Sequence, residues 1–192
     1  GNESFMIENK IDLGLLKSEM KKDIVQNSSL VFLAIDGEVK GFVSVIDSVK
    51  INSLDVINEI KEMKLEPILL SEESENVTKY ISSINRIEKY ESGVLPEHKS
   101  GKIKTLKDAG RKVIMVGDGI NDAPALVQSN VGIAIGNGTD VAIESAEVVL
   151  INGDLNGVVK SIKLSKRTIA VIKQNLFWAF IYNVIGIPLA AA

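Results

Sequence analysis

The sequence predicts an α/β fold: a parallel sheet wrapped by helices, preceded by a small α+β unit and followed by an apolar helix. Three observations predict it. Short apolar runs at Pro67–Leu70, Val113–Val116, Val131–Ile135 and Val148–Ile151 alternate with helical stretches, which is the spacing of βαβ units. The runs are apolar at nearly every position, as strands covered on both faces are. No charged residue occurs from Leu176 to Ala192, where Phe, Trp, Ile and Val dominate.

The α+β unit is read over residues 1–46. Leu30–Ile35 is an apolar strand, Asp36-Gly37 a tight turn, and Gly41–Ile46 the return strand of a hairpin. Leu13–Val25 carries apolar residues at helical spacing and is expected to pack on that hairpin as a helix. The rhythm changes at Ile46–Asp47, where a domain boundary is expected. Val56, Ile57, Ile60 and Met63 then recur at helical spacing; weaker helices are expected at Thr78–Ile84 and Gly101–Ala109, the latter with a solvated Lys-rich face. This second unit is expected over residues 47–165.

Residues 166–192 are read as a linker and the start of a membrane helix. The uncharged run is about 17 residues long, the lower limit for spanning a bilayer, and a buried C-terminal helix would read the same by length. Trp178 and Tyr182 near its start, with Lys166, Arg167 and Lys173 just before, favour the membrane. The chain opens Gly-Asn-Glu without a Met and without a basic-then-apolar leader. No signal peptide is expected, and the opening is that of a fragment.

Composition narrows the chemistry. The 192 residues are 45% hydrophobic and 24% charged, and the formal net charge of −3 gives no electrostatic reason for a nucleic-acid partner. Cysteine is absent, which excludes disulfides, thiolate metal sites and a cysteine nucleophile. The single histidine, His98, excludes a His-rich metal cluster and reads as a surface loop residue.

The strongest signal is Val113–Leu126, in which a buried strand runs into Gly117-Asp-Gly-Ile-Asn-Asp-Ala-Pro-Ala-Leu126. In an open parallel sheet ligands bind at the carboxyl ends of strands, where this turn must lie. Gly117 and Gly119 let the backbone bend and approach a ligand. Asp118 and Asp122, with Asn121 between them, are hard oxygen donors that suit magnesium. The plain alternative is an Asp-Gly turn with Asp122 capping a helix.

That string resembles the hinge motif of P-type ATPases, the magnesium-binding motif of the wider haloacid dehalogenase superfamily. Val131–Ala146 resembles the heavy-metal branch, and Gln174–Ala190 is similar to the first transmembrane helix after the cytoplasmic domain. Gly1-Asn2 with Phe5-Met6 looks like the late part of the nucleotide-binding domain. The resemblance implies a haloacid-dehalogenase-like Rossmannoid sheet, with magnesium and ATP as cofactors. It assigns Asp118 and Asp122 to magnesium. Lys99, in Leu95-Pro-Glu-His-Lys99, matches the lysine that contacts the transferred phosphoryl group. A flexible ammonium suits a carboxylate-rich phosphate site, although taken alone Lys99 reads as a solvated surface lysine. Tyr182-Asn183 matches the cuprous-ion pathway of the copper branch, and no lysine of the kind expected in a zinc pump occurs between Leu176 and Ala192. An interfacial Tyr and a helix-packing Asn are the structural alternative. The implied partners are ATP, a cuprous ion, the membrane and the remainder of the pump, at the cell membrane with the soluble part facing the cytoplasm.

Two departures stand beside the matches. The family's phosphorylated aspartate lies in Asp-Lys-Thr-Gly-Thr, and no such string occurs here. The strand that carries it is central in the superfamily sheet, so the resemblance implies an incomplete sheet, first strand missing, with unpaired backbone between the Pro67 and Val113 strands. Where the family has Thr-Gly-Asp, this chain has Ser71-Glu72-Glu73. Ser71 keeps a hydroxyl for phosphate, Glu72 adds negative charge at a tight turn, and Glu73 lengthens the carboxylate. Three functions follow: part of a copper-exporting pump, inactive alone; a non-catalytic magnesium- and phosphate-binding module or remnant; or a soluble phosphatase, which would also need the aspartate.

Overall fold

The computed structural model describes residues 1–20, 28–45, 49–117, 120–136 and 144–191. Of the expected helix Leu13–Val25, the described part holds a 3-10 turn at Gly14–Leu16 and one short helix; residues 21–27 lie outside the described residues. The N-terminal unit contains α1 (Glu3–Glu8), that short helix as α2 (Lys17–Met20), and the hairpin β1 (Ser29–Ile35) and β2 (Glu38–Val45). Its turn is Asp36-Gly37, both at positive φ (52° and 81°), which suits a two-residue connection between right-twisted strands. Phe32 and Val39 point to one face of the hairpin and meet Met6 and Leu13 in a small core. On the opposite face Val31, Leu33, Ile35, Val43 and Val45 are about half exposed or more.

The second unit is built of βα repeats: α3 (Ser53–Glu62), β3 (Ile68–Leu70), α4 (Glu75–Ile84), β4 (Lys89–Glu91), α5 (Pro96–Asp108), β5 (Ile114–Gly117), α6 (Ala123–Gln128), β6 (Val131–Ile135) and β7 (Val148–Leu150). The strands form two separate parallel ladders, β3-β4 and β5-β6-β7. The two are not paired with each other among the described residues, which is the incomplete sheet the resemblance implies. They nevertheless lie close, because Leu70 of β3 packs on the core formed by Ile103, Met115, Ala125, Leu126 and Ala134.

Alternation along β6 explains why its sequence is apolar throughout. Ala134 faces α5 and α6, whereas Ile133 and Ile135 face the other side with Val158. Both faces of this sheet are therefore covered. The covering element on the second face is the start of α7 (Asn156–Ala191), a single 36-residue helix. Val158 and Val159 are buried, and Lys163 pairs with Glu59 of α3. Beyond this docked end the helix carries Leu176, Phe177, Trp178, Phe180, Val184 and Ile185 exposed. By length and composition it can cross a membrane.

Two charged clusters bridge the half-sheets. Ahead of the strands, Glu66 accepts from Lys89 of β4 at 2.5 Å and from Arg111, three residues before β5. At the carboxyl ends the bridge is made by Lys99.

Candidate functional site

β3 ends at Leu70 and hands the chain to Ser71-Glu72-Glu73; β5 ends at Gly117 and leads toward the 3-10 turn Ile120–Asp122. Parallel strands put both ends on the same edge, so the two turns converge. Helix α5 supplies the third side. It starts at Pro96, five residues before the expected position, because proline at the first helical position needs no amide partner. That places Lys99 on the helix, facing inward, with only 7% of its surface exposed. His98 lies on the same helix, not in a loop, and is exposed.

The Lys99 ammonium donates to Glu72 Oε1 and to Asp122 Oδ1, each at 2.9 Å. Burial alone would push its pKa down, but the hydrogen bonds to Asp122 and Glu72 outweigh this and hold it above the ordinary lysine value. Asp122 stands at the N-cap of α6 yet makes no side-chain cap bond; its carboxylate is committed to Lys99. The plain capping role therefore does not account for it.

Gly117 fits against Asp122. A Cβ at Gly117 would lie 2.6 Å from both Cβ and Oδ2 of Asp122, so only glycine lets the carboxylate sit at the end of β5. Ser71 Oγ accepts the Glu73 amide at 3.1 Å, which leaves its own proton available to donate. The Glu73 carboxylate is turned away to accept Ser29 Oγ of the hairpin, and so joins the two units. Asn121 is exposed in the turn before α6. Asp118 and Gly119 lie outside the described residues. Tyr182 and Asn183 are exposed on α7, in its uncharged stretch.

The site thus holds one buried ammonium, one buried carboxylate cradled by glycine, one half-exposed carboxylate and a hydroxyl proton with no acceptor among the described residues. A cradled hard oxygen donor fits magnesium, and the ammonium fits a phosphoryl oxygen. Sequence reasoning missed two features. It read Glu72 as added charge and not as a partner of Lys99, and it overlooked β4, whose Lys89-Tyr90-Glu91 has no apolar run to reveal it.

A family model described as haloacid dehalogenase-like hydrolase matches residues 1–130, and a second of the same description matches residues 100–162. The chain belongs to the haloacid dehalogenase-like hydrolase family. Over its whole length it is homologous to copper-exporting P-type ATPases. It is 41% identical over 191 residues to the copper-exporting P-type ATPase of Staphylococcus haemolyticus, and 44% identical over 191 residues to copper-transporting ATPase 2 of Rhizobium meliloti. All of this chain is matched in both, but only 24% and 23% of those proteins; the chain spans about a quarter of their length. Among solved structures, a zinc-transporting PIB-type ATPase in the E2·Pi state superposes with a TM-score of 0.74 at 27% identity, covering 92% of this chain and 30% of that one. The catalytic domain of the CPx-ATPase CopB-B superposes with a TM-score of 0.56 at 34% identity, covering 65% and 48%.

Proposed function

We propose that this chain supplies the magnesium- and phosphate-contacting side of the phosphorylation site of a copper-exporting P-type ATPase. The observation that carries the reading is the Lys99–Asp122 pair, held at the common carboxyl edge of β3 and β5. In this reading the Lys99 ammonium binds a phosphoryl oxygen and Ser71 donates a second hydrogen bond to it. Asp122, with Asp118, holds magnesium, whose chemistry is to neutralise charge on the phosphate oxygens. Electrostatic positioning is most of what phosphoryl transfer asks of a protein.

The nucleophile is the missing part. No Asp-Lys-Thr-Gly-Thr string occurs in the 192 residues, so the chain on its own forms no aspartyl-phosphate. Residues 1–46 are read as the late part of the nucleotide-binding domain, which shares ATP with the rest of the pump. Residues 47–165 are the phosphorylation domain, and 166–192 lead into the membrane with the soluble part on the cytoplasmic side. Copper is favoured over zinc because relatives at 40–44% identity are copper pumps, and because Tyr182-Asn183 stands in a stretch without lysine.

Two experiments test this. Incubation with γ-labelled ATP and magnesium should leave the chain unlabelled; an acid-stable, hydroxylamine-sensitive acyl-phosphate on it would refute the proposal. A chimera carrying this chain in place of the matching quarter of the Staphylococcus haemolyticus pump should form the aspartyl-phosphate, and should lose it on Asp122→Asn. Equal phosphorylation of the folded chimera with and without the Asp122→Asn substitution would also refute it.

A further inference from the structure

A lysine ammonium has three protons to donate. In Lys99 two are taken, by Glu72 Oε1 and Asp122 Oδ1, both at 2.9 Å. One positive charge thus faces two negative ones, and the trio carries a net charge of −1. An incoming phosphate meets an ammonium already over-neutralised. The two carboxylates are not equally held. The Asp122 side chain is 12% exposed and wedged against Gly117, whereas that of Glu72 is 41% exposed at the end of a longer stem. Glu72 is the one that can leave. Its neighbour Ser71 keeps a proton to donate, so the same turn holds both a phosphate donor and a phosphate competitor.

We propose that Glu72 is an internal competitor for the phosphate position: its carboxylate occupies the Lys99 ammonium, sets a low affinity for phosphoryl oxyanions, and swings out when one binds. This rests on the reading of Lys99 as the phosphate contact. Removing a like charge near a solvent-facing oxyanion should strengthen binding roughly 3- to 10-fold, the range for charges about 5 Å apart in a water-like dielectric.

The test is binding of inorganic phosphate to the full 192-residue chain, by calorimetry without magnesium, in the parent and in Glu72→Gln, Glu72→Gly, Lys99→Met and Glu91→Gln. Glu72→Gln keeps the size and hydrogen-bonding reach of the side chain while removing its charge; Glu91→Gln removes a surface carboxylate paired with Lys102 and serves as the control. Both Glu72 variants should bind about 3- to 10-fold more tightly, Glu91→Gln should match the parent, and Lys99→Met should lose binding. Circular dichroism checks that each variant is folded. Parent binding abolished by Lys99→Met but unchanged or weakened in both folded Glu72 variants would overturn the competitor while leaving the phosphate site standing. Binding absent from the parent and all variants, or indifferent to Lys99→Met, would overturn both.

Discussion

Gly117 and Asp122 are fitted to each other: the space a Cβ would need at Gly117 is filled by the Cβ and Oδ2 of Asp122, 2.6 Å away. The glycine therefore sets where the carboxylate stands, and through it where Lys99 points. In Gly117→Ala the backbone of β5 or the carboxylate must shift. Overpacking of this kind costs about 1–3 kcal/mol. Denaturant unfolding should show that loss, and phosphate binding should weaken with it. Unchanged stability would mean that the contact relaxes freely.

Lys99→Met keeps the length of the side chain and removes the charge. It leaves the Asp122 carboxylate, itself largely buried, without its partner. Breaking one side of a buried pair costs about 3 kcal/mol or more, and the half-exposed Glu72 adds little to that. The expected result is a lower unfolding midpoint that is largely restored in Lys99→Met/Asp122→Asn. A double variant no more stable than the single one would show that the two residues are not coupled.

How far the sequence could be read depended on what kind of signal each element left. Val131–Ile135 is apolar on both faces because both faces are covered, so its limits were read residue for residue. Val148–Ile151 was legible for the same reason, since Val149 packs on one core and Val148 and Leu150 on the other, and Pro67–Leu70 was legible as a plain apolar run. Lys89–Glu91 was not, since a three-residue strand with one lysine and one glutamate has no periodicity to detect. Lys99 was legible only through resemblance. Charge and spacing alone place it on a solvated face, and what buries it is the meeting of three segments far apart in sequence. Its bond to Glu72 spans 27 residues, and no local pattern predicts it.

Leu126 is fully buried in the core with Ile103 of α5 and Ala134 of β6, and its apolar side chain can make no hydrogen bond or ion pair with the charged groups of the site. Leu126→Ala should cost roughly 2–5 kcal/mol from lost transfer energy and the cavity left behind. While the variant remains folded, its phosphate affinity should stay near that of the parent. Comparing it with Gly117→Ala separates damage to the core from damage to the site.

Acid should loosen the bridge between the half-sheets. Hydrogen bonds from Lys89 and then Arg111 hold the Glu66 carboxyl below its ordinary value of 4.5. A lowered folded-state pKa gives stability that is present above about pH 4.5 and is lost as pH falls through the lowered value. Glu66→Gln should therefore flatten the acid limb of the stability curve and leave its neutral-to-alkaline shape unchanged. An identical acid limb in parent and variant would remove Glu66 from the account.

The membrane reading of α7 rests on its exposed apolar residues, and charge should abolish it. Placing arginine at Val184 and Ile185 puts two charges within the uncharged stretch, at a cost of about 2.5–3.5 kcal/mol each near a bilayer centre. The parent should float with liposomes and the double variant should stay in the soluble fraction. Equal flotation would show that another surface, such as the apolar outer face of the β1-β2 hairpin, holds the chain to lipid.

The gap between the two ladders makes the last prediction. Along a parallel strand successive residues direct their backbone groups to opposite sides. The Ser71 amide bonds Glu91 and the Val113 carbonyl bonds Val131, so the amides of Leu70 and Val116 point away from β4 and β6, toward the space between the half-sheets. Among the described residues, backbone groups left there have no ladder partner. In hydrogen exchange on the monomeric chain, Leu70 and Val116 should exchange well ahead of Ile133 and Ala134 in the covered centre of β6. Equal protection at all four would mean that the ladders close on each other in solution. Protection appearing only when an extended segment is supplied would mark the gap as a place for one more parallel strand, in line between Leu70 and Val116 and ending beside Lys99.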